Sequence, residues 1–82
     1  MLSKLKTSHK VTGVKQSMKA IKAGNASCVY FAEDADPALL FALQEQCRAE
    51  NIPMIPVGGM DALGRACGID VGAAVAVILK DQ

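Results

Sequence analysis

Two unbroken apolar runs, Cys28 to Ala32 and Ala74 to Leu79, constrain this chain more than any other feature. A strand that is apolar at every position must be covered on both faces. Helices elsewhere in the chain can supply those covers. The helical period appears where it is needed. From Gly13 to Ala23 the apolar residues Val14, Met18 and Ile21 recur at i, i+4 and i+7, and Gly24-Asn25 supplies the stop. Asp36-Pro37 opens a second helix, Asp36 as N-cap and Pro37 with its φ already helical. Leu39, Leu40, Leu43 and Cys47 line its inner face, Gln44, Glu45, Arg48 and Glu50 look outward, and Asn51 and Pro53 end it.

Met54 to Val57 reads as a short strand, and Pro56, which lacks a ladder donor, either places it at an edge or ends it early. Gly58-Gly59 leads into a helix from about Asp61 to Cys67, closed by Gly68. A short helix over residues 2–8 and an extended Val11-Thr12 complete the order. Strand and helix alternate, so the expected class is α/β: a three-layer α/β/α sandwich with a mixed sheet of about four strands, one domain over residues 1–82. The expected core is Met18, Ile21, Val29, Phe31, Leu39, Leu43, Ile55, Leu63, Val75 and Val77.

Hydrophobic residues make up 51% and charged residues 21%, far from the composition of disordered chains. The longest apolar run, Val71 to Leu79, is half the ~20 residues a membrane helix needs, and the opening MLSKLKTSHK is polar, so neither a membrane segment nor a secretion leader is expected. Cys28, Cys47 and Cys67 are odd in number and form no CxxC pair, against both a disulfide framework and a zinc site. Inert buried thiols in a cytoplasmic protein are the expectation.

The net charge of +1 hides an asymmetry. Lys4, Lys6, Lys10, Lys15, Lys19 and Lys22 precede residue 33 with no acid among them, whereas the remainder holds three basic and eight acidic residues. Lys15, Lys19 and Lys22, at i, i+4 and i+7, form one cationic row on the first long helix. Lys15 lies in the first turn, where the macrodipole makes a cation cost ~0.3 to 1 kcal/mol, and Lys19 repels it. A phosphate or a guanine edge at that helix start would offset both terms, because free backbone N–H groups already point there. A solvated lysine face is the other reading of the same residues.

Glu33, Asp34 and Asp36 stand at the end of a buried strand, a position where α/β sheets place sites. Asp36 already caps a helix and no second acidic cluster completes a coordination shell, so no metal is expected. His9 has no partner in register for catalysis, and no glycine spacing matches a phosphate loop. No cofactor is implied. Ile69 and Val71 put two apolar side chains in a loop, either as the hydrophobic contact of a helix C-cap or as a binding surface.

Taken in order, Gly13-x-Lys15-Gln16-x-x-Lys19, the Ala32-Glu33-Asp34-Ala35-Asp36-Pro37 junction, Cys47 before Ile52-Pro53, and Leu63 to Gly68 leading into an aliphatic strand resemble the kink-turn RNA-binding ribosomal-protein family of "L seven Ae" type. Within it the chain is similar to the small bacterial YbxF/YlxQ-like members, from about Lys10 to Leu79. The resemblance implies binding to a sharply bent RNA whose sheared G·A pairs face the helix after the glycine, while an apolar loop covers a splayed-out nucleotide. It implies RNA-binding roles for Gly13, Lys15, Gln16, Lys19, Asp36, Ile69 and Val71. Gly13 would let the backbone approach RNA, and Lys19 matches the family lysine. Lys15-Gln16 stand where archaeal and eukaryotic members carry Asn-Glu, keeping donors for guanine O6 and N7 and for phosphate. Asp36 matches an acidic position near the extruded base, and Met60 replaces a lysine of some relatives.

The expected function is therefore a non-catalytic, monomeric RNA-binding protein that recognises and stabilises kink-turn motifs, with ribosomal RNA among the candidate partners. The alternative is a protein interaction module using the acidic second half.

Overall fold

The computed structural model describes residues 9–69 and 71–80. The helix expected over residues 2–8 lies outside them. Strand β1 (Lys10–Thr12), helix α1 (Val14–Lys22), strand β2 (Ala26–Ala32), helix α2 (Pro37–Glu50), strand β3 (Met54–Val57), helix α3 (Met60–Cys67) and strand β4 (Val75–Leu79) follow in chain order. The four strands form one sheet in the order β1-β4-β2-β3. The two fully apolar runs are thus the two central strands, and the proline-bearing β3 is an edge. β2 pairs with β3 in parallel and with β4 antiparallel, and β1 pairs with β4 antiparallel, so the sheet is mixed.

Side-chain alternation on the central strands divides the interior into two layers. Val29, Val75 and Val77 pack with Ala20 and Ile21 of α1 and with Leu43 and Cys47 of α2. On the other face, Tyr30, Ala32, Ala76 and Ile78 pack with Leu63 and Cys67 of α3. This is the three-layer α/β/α sandwich. Of the expected core, Ile21, Val29, Leu43, Leu63, Val75 and Val77 are fully buried, whereas Met18, Phe31, Leu39 and Ile55 are half-buried. Tyr30 is the largest fully buried side chain and was not among the expected core residues. It shares a hydrogen bond with Cys28, and its phenol is raised above 10.0 by burial first and by Cys28 second.

One expectation about α1 is corrected. Ser17, Ala20 and Ile21 face the interior; Val14 remains 41% exposed and Met18 half-buried. The Val14-Met18-Ile21 spacing is helical, but the sheet sits closest to the small residues Ser17 and Ala20, which rotates the stripe outward by part of a turn. Cys28, Cys47 and Cys67 form no disulfide. Burial raises the thiols of Cys47 and Cys67 above their ordinary value, with Lys10 pulling Cys67 slightly the other way.

Candidate nucleic-acid interface

Because β4 runs against the other three strands, one end of the sheet collects the carboxyl ends of β1, β2 and β3, the start of β4, and the N-termini of all three helices. Three sets of N–H groups without an intrahelical partner and three positive dipole ends therefore meet at one end of the molecule.

Gly13 caps α1 at φ 92° and ψ 153°, a region essentially restricted to glycine. Its N–H donates to the Val75 carbonyl at 3.3 Å and its carbonyl accepts from Ser17 N–H at 3.0 Å. The helix start is thereby fastened to the first residue of β4. Lys15, Gln16 and Lys19 are exposed on the first two turns. At 100° per residue Lys15 and Lys19 share one flank, and Gln16 points about 100° further round.

Asp36 is the N-cap of α2, its Oδ1 accepting from Ala38 N–H at 2.9 Å. Asp34, two residues earlier, does something its position in the sequence does not announce. Gly59 gives α3 no side-chain cap, and Asp34 Oδ1 accepts from Met60 N–H at 2.9 Å. Two of the three clustered carboxylates are thus engaged in capping helices. Among the described residues no group of three or more His, Cys, Asp or Glu could hold a metal ion, and no helix is long and apolar enough to cross a membrane.

After α3, Gly68 takes a left-handed conformation and the chain doubles back along the helix it has just left. Ile69 N–H donates to Gly64 O at 3.1 Å, and Ala73 N–H donates to Met60 O at 3.1 Å. A Cβ at Gly64 would collide with the Val71 carbonyl, so glycine is what lets the loop lie this close. The two apolar loop residues part company here. Ile69 is half-buried against the α3-side core, the C-cap contact weighed as one of its two readings, whereas Val71 is 70% exposed. Met60, 38% exposed beside Gly72, adds a second apolar side chain to the same end.

Gly13, Lys15, Gln16, Asp36 and the returning loop thus gather at one end; Lys19 lies a turn further along α1, and Ile69 faces inward. Fold and site together define a small α/β/α domain presenting helix N-termini, a lysine row and an apolar loop at one edge of its sheet. The chain belongs to the ribosomal protein L7Ae/L30e/S12e/Gadd45 family, which it matches over residues 1–82. It is 43% identical over 70 residues to an RNA-binding protein of Geobacillus sp. (strain WCH70), with 85% of each chain covered. The RNA-binding protein YbxF of Geobacillus stearothermophilus is 41% identical over 70 residues, again with 85% of each chain covered. Among solved structures, the Giardia lamblia 15.5kD RNA binding protein superposes with a TM-score of 0.87 at 31% identity, over 99% of this chain and 72% of that one.

Proposed function

We propose that this chain is a non-catalytic RNA-binding protein of the cytoplasm that recognises a kink-turn and stabilises its bent form, acting as a monomer on ribosomal or other structured RNA. The observation that carries this reading is the hydrogen bond from Gly13 to Val75, which seats the cationic start of α1 at the root of the strand fed by the Val71 loop. Backbone N–H groups, Lys15 and Lys19 then offer donors to phosphates and guanine edges, and Val71 offers apolar cover to an unstacked base. Relatives named as RNA-binding proteins support the partner class. For the alternative, an acidic protein-docking surface, Asp34 and Asp36 already have structural tasks as helix caps, each accepting a backbone N–H bond.

Gel-shift titration against a kink-turn RNA and the same duplex without its bulge tests the reading. Tighter, less salt-sensitive binding to the kinked RNA is expected. Equal, weak binding that falls with salt in the same way on both would reduce the site to generic polyanion affinity.

A further inference from the structure

Met60 is held from three directions. Asp34 Oδ1 accepts its N–H at 2.9 Å, its carbonyl accepts from Ala73 N–H at 3.1 Å, and a Cβ on Gly72 would come within 3.2 Å of the Met60 Cβ. Ala32 N–H donates to the Ala74 carbonyl at 2.9 Å, and Ala35 N–H donates to the Ala32 carbonyl at 3.1 Å, closing the turn that carries Asp34. These contacts form a circuit: from Ala32 to Ala74, along the chain to Ala73, across to Met60, and back to Asp34. Val71 stands at its rim, next to Gly72. The links at Ala32 and Ala73 join backbone to backbone, whereas the link at Asp34 depends on the side chain at that position. Gly59 keeps its approach open, since a Cβ there would already lie 3.3 Å from Asp34 Oδ2.

Resting on the RNA-binding reading above, we propose that Asp34 is a positioning residue for RNA recognition: by fixing Met60 it fixes the point from which the returning loop presents Val71. Val71 is 70% exposed, so its place is set by the backbone that follows it rather than by packing around its side chain. A side chain held in place before RNA arrives costs less ordering on binding than one that must be fixed in the complex. The sign of the effect separates positioning from charge. A carboxylate at the proposed RNA-facing end repels phosphates, so as a charge alone Asp34 opposes binding and its removal would tighten it. As a positioning group, its removal loosens the loop and weakens binding.

The test uses the full chain well below its melting temperature, with the folding of each variant checked by circular dichroism. On kink-turn RNA, Asp34→Ala should bind about threefold to tenfold more weakly than wild type. Asp34→Asn, which keeps an acceptor and drops the charge, should bind at least as tightly as wild type. On a Val71→Ser background, Asp34→Ala should cost less than about twofold further, because the side chain it positions is gone. Combined with Lys19→Ala, on a helix fastened separately through Gly13, its cost should be undiminished. In the free protein, hydrogen exchange at Ala73 N–H should accelerate in Asp34→Ala and return towards the wild-type rate in Asp34→Asn. A cap that only stabilises the fold would leave the affinity of the folded protein unchanged and show no coupling to Val71. Asp34→Ala binding as tightly as wild type or tighter, or a cost that adds in full to that of Val71→Ser, would overturn the inference. Should the wild type bind kinked and straight RNA alike while the coupling between Asp34 and Val71 persists, the positioning role stands and the kink-turn reading falls.

Discussion

Asp34 and Met60 are 26 residues apart in sequence, and the carboxylate of the first accepts a hydrogen bond from the backbone of the second at 2.9 Å. The turn after β2 is thereby tied to the start of α3, the two segments between which the Val71 loop returns to β4. Helix α3 has only eight residues and a glycine at its own N-cap position, so a cap borrowed from elsewhere in the chain matters to it. Asp34→Ala should destabilise the fold by about 0.5 to 1 kcal/mol, the low part of the range for caps because the bond is solvent-exposed. Denaturant unfolding reads this, and Asp34→Asn should recover part of the loss because the amide oxygen still accepts.

Gly13 should resist substitution for a reason that has nothing to do with space. A Cβ there would meet no atom within 4 Å, yet φ is +92°. Gly13→Ala is therefore expected to cost roughly 1 to 3 kcal/mol through backbone strain alone, read as a lowered melting temperature. If the helix start relaxes instead, the hydrogen bond to Val75 breaks, and affinity for RNA should fall by more than the stability loss predicts.

Ser17 offers a substitution expected to help. Its side chain is fully buried and its Oγ has no hydrogen-bond partner. Ser17→Ala removes an unsatisfied polar atom and leaves the close approach of α1 to the sheet intact, so stability should rise by about 1 kcal/mol. A clear loss in chemical denaturation would mean that the hydroxyl is satisfied in solution.

How far the fold could be read in advance follows from where its determinants lie. Asp36-Pro37 and Gly68 mark helix ends with chemistry contained in two or three residues, and the two apolar runs identify the central strands by themselves. The burial of Tyr30 was less visible, because in a run apolar on both faces no alternation ranks one position above the next. The rotation of α1 escaped the helical spacing because Ser17 and Ala20 are buried for their smallness. Asp34's role depends on a contact 26 residues away that no local pattern encodes. Ile69 and Val71 look equivalent in sequence; only the hydrogen bonds of the returning loop turn one inward and the other out.

Alkaline pH should weaken the fold in a definite direction. Burial raises the Cys47 and Cys67 thiols above 9.0 and the Tyr30 phenol above 10.0 in the folded state, so each binds its proton more tightly there than in the unfolded chain. Their contribution is complete below the ordinary values and is lost as pH rises through 9.0 and then 10.0 towards the folded values. Melting temperature should therefore fall across that window, and Cys47→Ala, though less stable at pH 7, should show a shallower fall. Alkylation of both thiols at pH 8 should be slow and should accelerate with mild denaturant.

The sharpest division of labour is expected between side chains that appear interchangeable in the sequence. Val71 is 70% exposed, so Val71→Ser should leave the melting temperature within error and weaken binding to kinked RNA at every salt concentration. Ile69 packs against the core on the α3 side, so Ile69→Ser should lower stability by about 1 to 3 kcal/mol and affect RNA affinity only through the unfolded fraction. Lys19→Ala, on an exposed helix flank, should be neutral to folding; facing a guanine of the G·A tract, it should cost ~1 to 3 kcal/mol on the kinked RNA and much less on the straight duplex. Paired melting curves and gel shifts on the three variants separate the outcomes. A Val71→Ser protein that binds as tightly as wild type, together with a Lys19→Ala loss equal on both RNAs, would leave the helix as an unspecific cationic face.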